Sequence, residues 1–261
     1  MNKLELMMAA ALLAAGAYGE KFSVVTWNVR HYSMGLSAVS RIPTVEAAKW
    51  TADYCGFLEP FGAKLVFLSE YSPFLDKEKT IAVRTALFGD YNLGFEGPFG
   101  NGGHVNSLYV KSGACVANGV RYYRSHYQNT NYNFARLKLG GVDALVVATH
   151  LEPNWPKNHR AMRAEQMAEL LAFVGNERHV IIAGDFNIED QAELKPFADA
   201  GFVLANDGGL KTWHVSDPKQ AIDNVIVRGF RISNARSVPA PKLSDHCLLA
   251  CELEPVCVLN H

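Results

Sequence analysis

Two polar side chains directly follow an apolar run in the second half of the chain. The run Val180 to Ala183 leads through Gly184 to Asp185, and Asn187 follows two residues later. Residues two apart on an extended strand point to the same side, so the carboxylate and the amide face together. A carboxylate can bind a cation or hold water, and an amide can donate to a phosphoryl oxygen. The pattern suits chemistry on a phosphate ester, although such residue pairs also form ordinary turns.

Other apolar runs in the chain border polar residues of the same chemical kinds. A buried strand has no structural need for such side chains at its ends, so their repetition predicts one common site. These residues are Asn28 after 22–27, Glu70 after 65–68, His150 after 142–149, Asp223 at the start of a strand, and Asp245 and His246 before 247–253.

The order of these motifs resembles the endonuclease/exonuclease/phosphatase superfamily, which includes deoxyribonuclease I, exonuclease III-type nucleases, neutral sphingomyelinases and inositol polyphosphate 5-phosphatases. The combination is specific, whereas each motif alone would be weak. The resemblance covers about Phe22 to Leu253 and implies an α/β fold: a four-layered sandwich of two packed mixed β-sheets flanked by helices. The motifs are WN (Trp27, Asn28), SE (Ser69, Glu70), THL (Thr149 to Leu151), GDFN (Gly184 to Asn187), ID (Ile222, Asp223) and SDH (Ser244 to His246).

Length and composition favour one domain over residues 20–261. The chain has 261 residues, of which 49% are hydrophobic and 20% charged, and no linker or repeat divides it. The formal net charge of −1 excludes a broad basic surface for general binding of duplex nucleic acid. A nuclease remains open, because metal ions can supply the attraction for phosphate.

Residues 1–19 read as an export signal. Lys3 precedes an apolar run at 6–15, and small residues flank Tyr18 just before Glu20. The alternatives are an N-terminal helix of the fold and an uncleaved anchor, but the run is short for a membrane span. We therefore expect an exported protein, periplasmic or secreted, with no stable membrane insertion after signal removal.

Periodicity and turn signals predict the elements that position the site. Paired glycines at 140–141 predict a hairpin turn, and the Gly-rich stretch 94–103 predicts a surface loop. The predicted helices cover 43–59, 75–87, 158–173 and 190–200, and the predicted strands cover 22–28, 64–69, 105–111, 134–139, 142–149, 178–184, 222–227 and 247–253.

The oxygen-rich set at the strand ends predicts a divalent cation. Hydrolysis of a phosphate ester requires positive charge near the phosphoryl group and a base positioned for water. We expect Glu70 to be the main ligand, with Asn28 and Asp245 beside it, and such donors favour Mg²⁺ or Mn²⁺ over zinc. Without the companion motifs, the preferred interpretation of Glu70 would be a solvated acid at a strand end.

The resemblance implies catalytic roles for five residues. Asp223 would pair with His246, which fixes the imidazole tautomer and raises the basicity of its other nitrogen. His150 would contact the phosphate and assist the leaving group, with a structural strand-end histidine as the alternative. Asp185 is the rival general base, and Asn187 would orient water or phosphate. The sequence leaves the choice between His246 and Asp185 open.

Residues next to the catalytic set are candidates for substrate binding. Arg30 and His31 follow Asn28 in a stretch similar to that of small bacterial family members, and they could contact a substrate phosphate. Four more residues are candidates for the rim of the site, and for the two tryptophans among them a packing role explains the residue at least as well as stacking on a base or sugar. The rim candidates are Asn106, Arg136, Trp155 and Trp213.

Together these residues predict a metal-dependent phosphoesterase, in particular a phosphodiesterase that uses in-line attack of water. The substrate would be nucleic acid, a phospholipid headgroup or a small molecule, and we expect a monomer. The two histidines favour a nuclease, whereas export and the missing basic face favour a sphingomyelinase-like or small-molecule phosphodiesterase. An inositol-phosphate phosphatase would need more Lys and Arg around the pocket. A binding module that kept the fold without activity is the alternative from another class.

Overall fold

The computed structural model describes residues 19–30, 53–70, 91–96, 106–111, 115–126, 130–155 and 157–256. The predicted helix at 75–87, most of the predicted helix at 43–59 and most of the Gly-rich loop lie outside these ranges. The proposed export signal up to residue 18 and the candidate residue His31 lie outside them as well.

In the described ranges, twelve strands form two six-stranded mixed sheets. The first sheet has the order β11-β12-β1-β2-β4-β3 and the second β5-β6-β7-β8-β10-β9. Each contains one parallel pair, β1 with β2 and β7 with β8. The strands are β1 Phe22–Asn28, β2 Leu65–Ser69, β3 Tyr91–Glu96, β4 Ser107–Lys111, β5 Cys115–Tyr122, β6 Asn131–Leu139, β7 Val142–His150, β8 Val180–Asp185, β9 Val203–Leu204, β10 Asp223–Arg228, β11 Phe230–Val238 and β12 Leu248–Pro255.

The central strands are apolar without interruption because both of their faces are covered. In β1, Val24 belongs to the core between the two sheets, while Val25 belongs to the core on the outer side of the first sheet. In β8, Ile181 faces the core between the sheets and Ile182 the outer side of the second sheet. The uninterrupted apolar runs therefore predict buried strands, but they do not show which face of a strand packs against which layer.

Helices cover the outer faces of the sheets. Residues 53–58 are helical (α1) and continue into the 3₁₀ turn Glu59–Phe61 on the first sheet. Helix α2, His159–Val174, connects β7 to β8 and buries Met167 and Leu170 on the second sheet. The predicted helix at 190–200 is a 3₁₀ turn, Gln191–Leu194, followed by the short helix α3, Lys195–Asp199. The four layers of the predicted fold are confirmed.

The strand pairing brings the polar strand ends to one edge of the sandwich. Asn28 lies opposite Ser69 in the first sheet, and Asp185 lies opposite both His150 and Asp223 in the second. Gly184 allows the close approach of β7 to β8, since it has a φ of 147° and an added Cβ would lie 1.8 Å from the carbonyl oxygen of Thr149.

The strands that sequence reasoning missed are β3, β5, β9 and β11, which are the four edge strands of the two sheets. The hairpin between β6 and β7 is confirmed, and Gly140 and Gly141 have the positive φ angles that its turn requires. None of the helices in the described part of the chain is long and apolar enough to cross a membrane.

Candidate active site

Asp185 lies at the centre of the polar strand ends. Its Oδ2 is 3.0 Å from Nδ2 of Asn28, 3.6 Å from Nε2 of His150 and 3.9 Å from Nε2 of His246. Its Oδ1 accepts a hydrogen bond of 2.8 Å from the backbone N–H of Asn187. Residues far apart in sequence therefore meet around one buried carboxylate.

Asn28 connects the two sheets at this edge. Its amide nitrogen donates to Oε1 of Glu70 and to Oδ2 of Asp185, both at 3.0 Å, and its amide oxygen accepts from the backbone N–H of Arg30. In this orientation Asn28 holds two carboxylates close together. It could offer its oxygen to a cation only with the amide turned over.

Backbone strain is concentrated at the site. Four described residues other than glycine have positive φ, and three of them follow the polar strand ends: Arg30 at 43°, Glu70 at 49° and Asn187 at 52°. Left-handed backbone costs on the order of 1–3 kcal/mol at a residue with a side chain, and such strain is common in functional sites. Here it turns the chain sharply after β1, β2 and β8.

A buried carboxylate and imidazole form the second unit of the site. Oδ2 of Asp223 is 2.9 Å from Nδ1 of His246. The loop that carries His246 is held by Ser244, whose hydroxyl donates to the carbonyl of Asn28 at 2.6 Å and accepts from the backbone N–H of His246. Trp27 donates from its indole nitrogen to the carbonyl of His246 at 3.1 Å. These bonds fix the imidazole relative to β1.

The surroundings shift the pKa values of both central groups. Burial, followed by the negative charge of Asp223, raises the pKa of Asp185 to about 7, although His246, Asn28 and the Asn187 N–H oppose the shift. Burial alone would lower the pKa of His246, but the charge and hydrogen bond of Asp223 outweigh it and raise that pKa to about 10. His246 is therefore a cation at neutral pH, while Asp185 can gain or lose a proton there.

The donor atoms fit a divalent cation. Single ligand atoms of Asp185, Asp223 and, when its imidazole is neutral, His246 lie within 4.8 Å of one another. Oδ1 of Asp223 and Oδ1 of Asp245 are buried and have no hydrogen-bond partner within the described ranges. Buried carboxylate oxygens are costly without a donor or a cation, and oxygen donors suit Mg²⁺ or Mn²⁺. Oδ2 of Asp245 lies 3.6 Å from the guanidinium of Arg30, so that arginine is also at the site.

Two further predicted residues lie near the site in supporting positions. Asn187 donates from its amide to the carbonyl of Leu151 at 3.0 Å, which joins the segments that follow β7 and β8. Asn106 precedes β4 at the same edge, but its side chain is buried and donates to the carbonyl of Asn131. Asn106 therefore connects the two sheets and is not on an exposed rim.

Arg136 does not lie where the sequence analysis placed it. It is opposite Leu145 in β7, five residues before His150, which corresponds to roughly 17 Å along the strand. There the half-exposed guanidinium pairs with Glu177. Strand alternation gives the face on which a residue lies but not its distance from the active end, and this is why the prediction failed.

Several supporting residues were not predicted. Asn131 and Asn133 are buried at the start of β6, and their spacing of two was a signal for a shared polar face. Arg163, with 1% of its side chain exposed, donates to the carboxylate of Glu193 and to the carbonyl of Glu152 at 3.1 Å each. It thereby joins the segment after His150 to the segment after Asn187. The available signal was an arginine within the apolar stripe of α2.

Comparison with solved structures shows the fold. Zebrafish (D. rerio) TDP2 humanized by 14 mutations matches with a TM-score of 0.71 at 18% identity, over 89% of this chain and 98% of that one. D. rerio TDP2 complexed with a single strand DNA product matches with a TM-score of 0.70 at 18% identity, over 90% and 99%. A family protein from Bacteroides thetaiotaomicron matches with a TM-score of 0.66 at 14% identity, over 90% and 98%.

No curated protein sequence matches the chain. The family model described as "Endonuclease/Exonuclease/phosphatase family" matches residues 25–246, a span that contains every motif from Asn28 to His246. The chain therefore belongs to the endonuclease/exonuclease/phosphatase family.

Proposed function

We propose that the protein is a metal-dependent phosphodiesterase that hydrolyses its substrate by in-line attack of water. The observation that supports this most directly is the meeting of Asn28, His150 and His246 around the single carboxylate of Asp185, within 3.9 Å. A buried carboxylate beside two imidazoles offers both a proton acceptor and donors for an anionic phosphoryl group.

The pKa values indicate different roles for the two candidate bases, Asp185 and His246. The pKa of Asp185, raised to about 7, makes it the group that takes a proton from the attacking water near neutral pH. His246, whose pKa is raised to about 10, keeps its proton and donates from Nε2 to a phosphoryl oxygen. Asp223 holds that imidazole through Nδ1. His150, on the other side of Asp185, contacts the phosphate and assists the leaving group.

Glu70 and Asp245, together with Asn28, would hold the Mg²⁺ or Mn²⁺ ion. When bound, such an ion supplies positive charge that neutralises the phosphoryl group. This assignment leaves Asp185 and His246 available for water and phosphate. The alternative ligand group of Asp185, Asp223 and His246 would occupy the same atoms that the proposed proton transfer needs.

A chromogenic phosphodiester and its matching monoester test the proposal. With Mg²⁺ or Mn²⁺, we expect the purified protein to hydrolyse the diester faster than the monoester. Hydrolysis should stop when a chelator removes the ion. Preference for the monoester would support a phosphatase instead. Absence of turnover with every ion would support a binding module of the same fold.

The cellular setting is part of the same proposal. The apolar N-terminal run supports export to the periplasm or the medium. All residues of the proposed site come from one chain, which supports a monomer. Mass spectrometry of the protein from its native host would give the mature N-terminus, which we expect at Glu20. Size-exclusion chromatography with light scattering would give the mass in solution.

A further inference from the structure

The end of β10 that carries Asp223 has a loop beside it, on the side away from β8. Strand β9 is only two residues long and ends at Leu204, which lies opposite Ile226. Within the described ranges, the segment 206–212 continues past β9 and contacts the end of β10 through hydrogen bonds. We call this segment the Asn206 loop. The position of Asp223 therefore depends on a loop where a longer sheet would have a strand.

The backbone of Asp223 points toward the Asn206 loop. The carbonyl of Ile222 accepts from the N–H of Phe186 at 2.8 Å, which continues the pairing of β10 with β8. Successive residues of an antiparallel strand bond alternately to one side and to the other, so the N–H and carbonyl of Asp223 point away from β8. Asp223 is fully buried, and buried backbone groups are costly without a partner. The Asn206 loop has to supply both partners.

Two buried side chains of the loop supply them. Nδ2 of Asn206 donates to the carbonyl of Asp223 at 3.1 Å, and Oγ1 of Thr212 accepts from the N–H of Asp223 at 3.2 Å. The backbone carbonyl of Thr212 also accepts from the N–H of Cys247 at 2.7 Å, directly after His246. One loop therefore holds Asp223 and the residue next to its partner, His246.

A second asparagine fixes the beginning of the loop to the strand. Oδ1 of Asn224 accepts from the N–H of Asn206 at 3.0 Å, and Nδ2 of Asn224 donates to the carbonyl of Asn206 at 2.7 Å. Oδ1 of Asn206 accepts from the N–H groups of Gly208 and Leu210, at 3.1 Å each. All four polar atoms of Asn206 are therefore bonded within the loop and the strand, so its amide is committed to the protein and not to a substrate.

We propose that Asn206 is a positioning residue, which holds the backbone of Asp223 so that its carboxylate stays 2.9 Å from Nδ1 of His246. The inference rests on the proposed function, in which this carboxylate holds the imidazole that donates to a phosphoryl oxygen. Without the amide of Asn206, the carbonyl of Asp223 turns toward another donor, and the attached side chain moves with it. Asn206 thus acts on the reaction only through Asp223.

A double-mutant cycle distinguishes this role from a general loss of structure. Asn206→Ser removes the donor to Asp223, because the short hydroxyl can still accept from the N–H of Gly208 but does not reach the strand. We expect kcat for the chromogenic diester to fall at least about fivefold with KM nearly unchanged, since a displacement of about 1 Å can cost about 100-fold. Beside Asp223→Ala, the same substitution should lower kcat less than about twofold, because the carboxylate that it displaces is gone. Equal fold-changes in the two backgrounds would overturn the inference.

Asn224→Ser is a second variant, which leaves Asn206 in place. It removes the donation to the carbonyl of Asn206, so the loop can shift along the strand. We expect kcat to fall about two- to fivefold, with the same dependence on Asp223. If neither folded serine variant changed kcat, Asn206 would have no positioning role.

Arg228 provides the matched control for lost stability. It lies at the other end of β10, and its guanidinium donates to the carbonyls of Glu177 and Gly175. Arg228→Met should lower the urea midpoint of unfolding as the loop variants do, but keep kcat within about twofold, because it does not touch Asp223. A fivefold loss of kcat in Arg228→Met would overturn the inference, since reduced stability alone would then explain the effect.

Proton NMR separates the failure of this inference from the failure of the proposed function, because it needs no turnover. The proton on Nδ1 of His246 is protected by its bond to the buried carboxylate, and its resonance is assigned by its absence in His246→Ala. We expect its exchange with water to be at least about tenfold faster in Asn206→Ser, since the pair opens more often, and unchanged in Arg228→Met. If the unchanged protein hydrolyses no diester, the proposed function fails, while this exchange rate still decides whether Asn206 positions the pair. Exchange at the original rate in Asn206→Ser would overturn the inference.

Discussion

Replacing Asp223 by Asn removes one negative charge from the site and keeps the shape of the side chain. Asp223 is fully buried, and its Oδ2 lies 2.9 Å from Nδ1 of His246. The amide oxygen of Asn can still accept from Nδ1, so the variant changes the charge and leaves the geometry in place. Because the carboxylate is what raises the pKa of His246 against the effect of burial, the variant weakens the cation that donates to the phosphoryl oxygen.

The size of the effect follows from this single contact. A hydrogen bond to a charged group contributes about 1.5–3 kcal/mol, and about 1.4 kcal/mol corresponds to a tenfold change in rate. We therefore expect Asp223→Asn to lower kcat about 10- to 150-fold. KM should change little, because the donation from His246 strengthens as charge develops in the transition state.

Steady-state kinetics on the chromogenic diester at saturating metal would measure this effect, with thermal unfolding to show that the variant is folded. Asp199→Asn is the matched control, since Asp199 is an exposed aspartate at the end of α3 that pairs with Lys195 and makes no contact with the site residues named above. The reasoning would be refuted if folded Asp223→Asn kept more than half of the original kcat, or if KM alone changed.

Other predictions concern the remaining parts of the site and its support. Glu70→Ala and His246→Ala should each lower kcat/KM at least ~100-fold, as expected for lost cation binding or lost proton donation. Gly184→Ala should lower the free energy of unfolding by at least about 2 kcal/mol, measured in urea, because the new Cβ would overlap a backbone carbonyl of β7. Arg163→Met should lower it by about 3 kcal/mol, since it leaves buried acceptors without their donor.

Two substitutions serve as controls for the stability measurements. Gly62 also has a positive φ, of 53°, but no atom lies within 4 Å of an added Cβ, so Gly62→Ala shows the cost of a positive φ without a steric overlap. Arg160 lies on the same helix and contacts the same Glu193, yet 65% of its side chain is exposed. Arg160→Met should therefore change the free energy of unfolding by less than about 1 kcal/mol. If Gly62→Ala lowered the free energy of unfolding as much as Gly184→Ala, steric overlap would not be the cause of the loss. If Arg160→Met lowered it as much as Arg163→Met, burial of the arginine would not be the cause.

The central strands and the polar residues at their ends were predictable because that information is local. A strand buried on both faces must be apolar along its length, as Val180 to Ala183 are, and a change to Asp or His at its end is visible in the sequence. The edge strands carry no such signal. In β5, Asn118 and Gly119 suggest a turn, and in β11 polar and apolar residues are mixed, because an edge strand has a neighbour on one side only.

The sequence by itself determined the family, the central strands and the set of polar residues at their ends, since each of these depends on residue types at short spacing. Only the tertiary structure decided that Asn28 of one sheet contacts Asp185 of the other and that Arg136 lies far from both residues. These relations depend on how two sheets pack and on which strands are neighbours. Contacts between residues more than a hundred positions apart are set by the packing of the whole core, which no local pattern encodes.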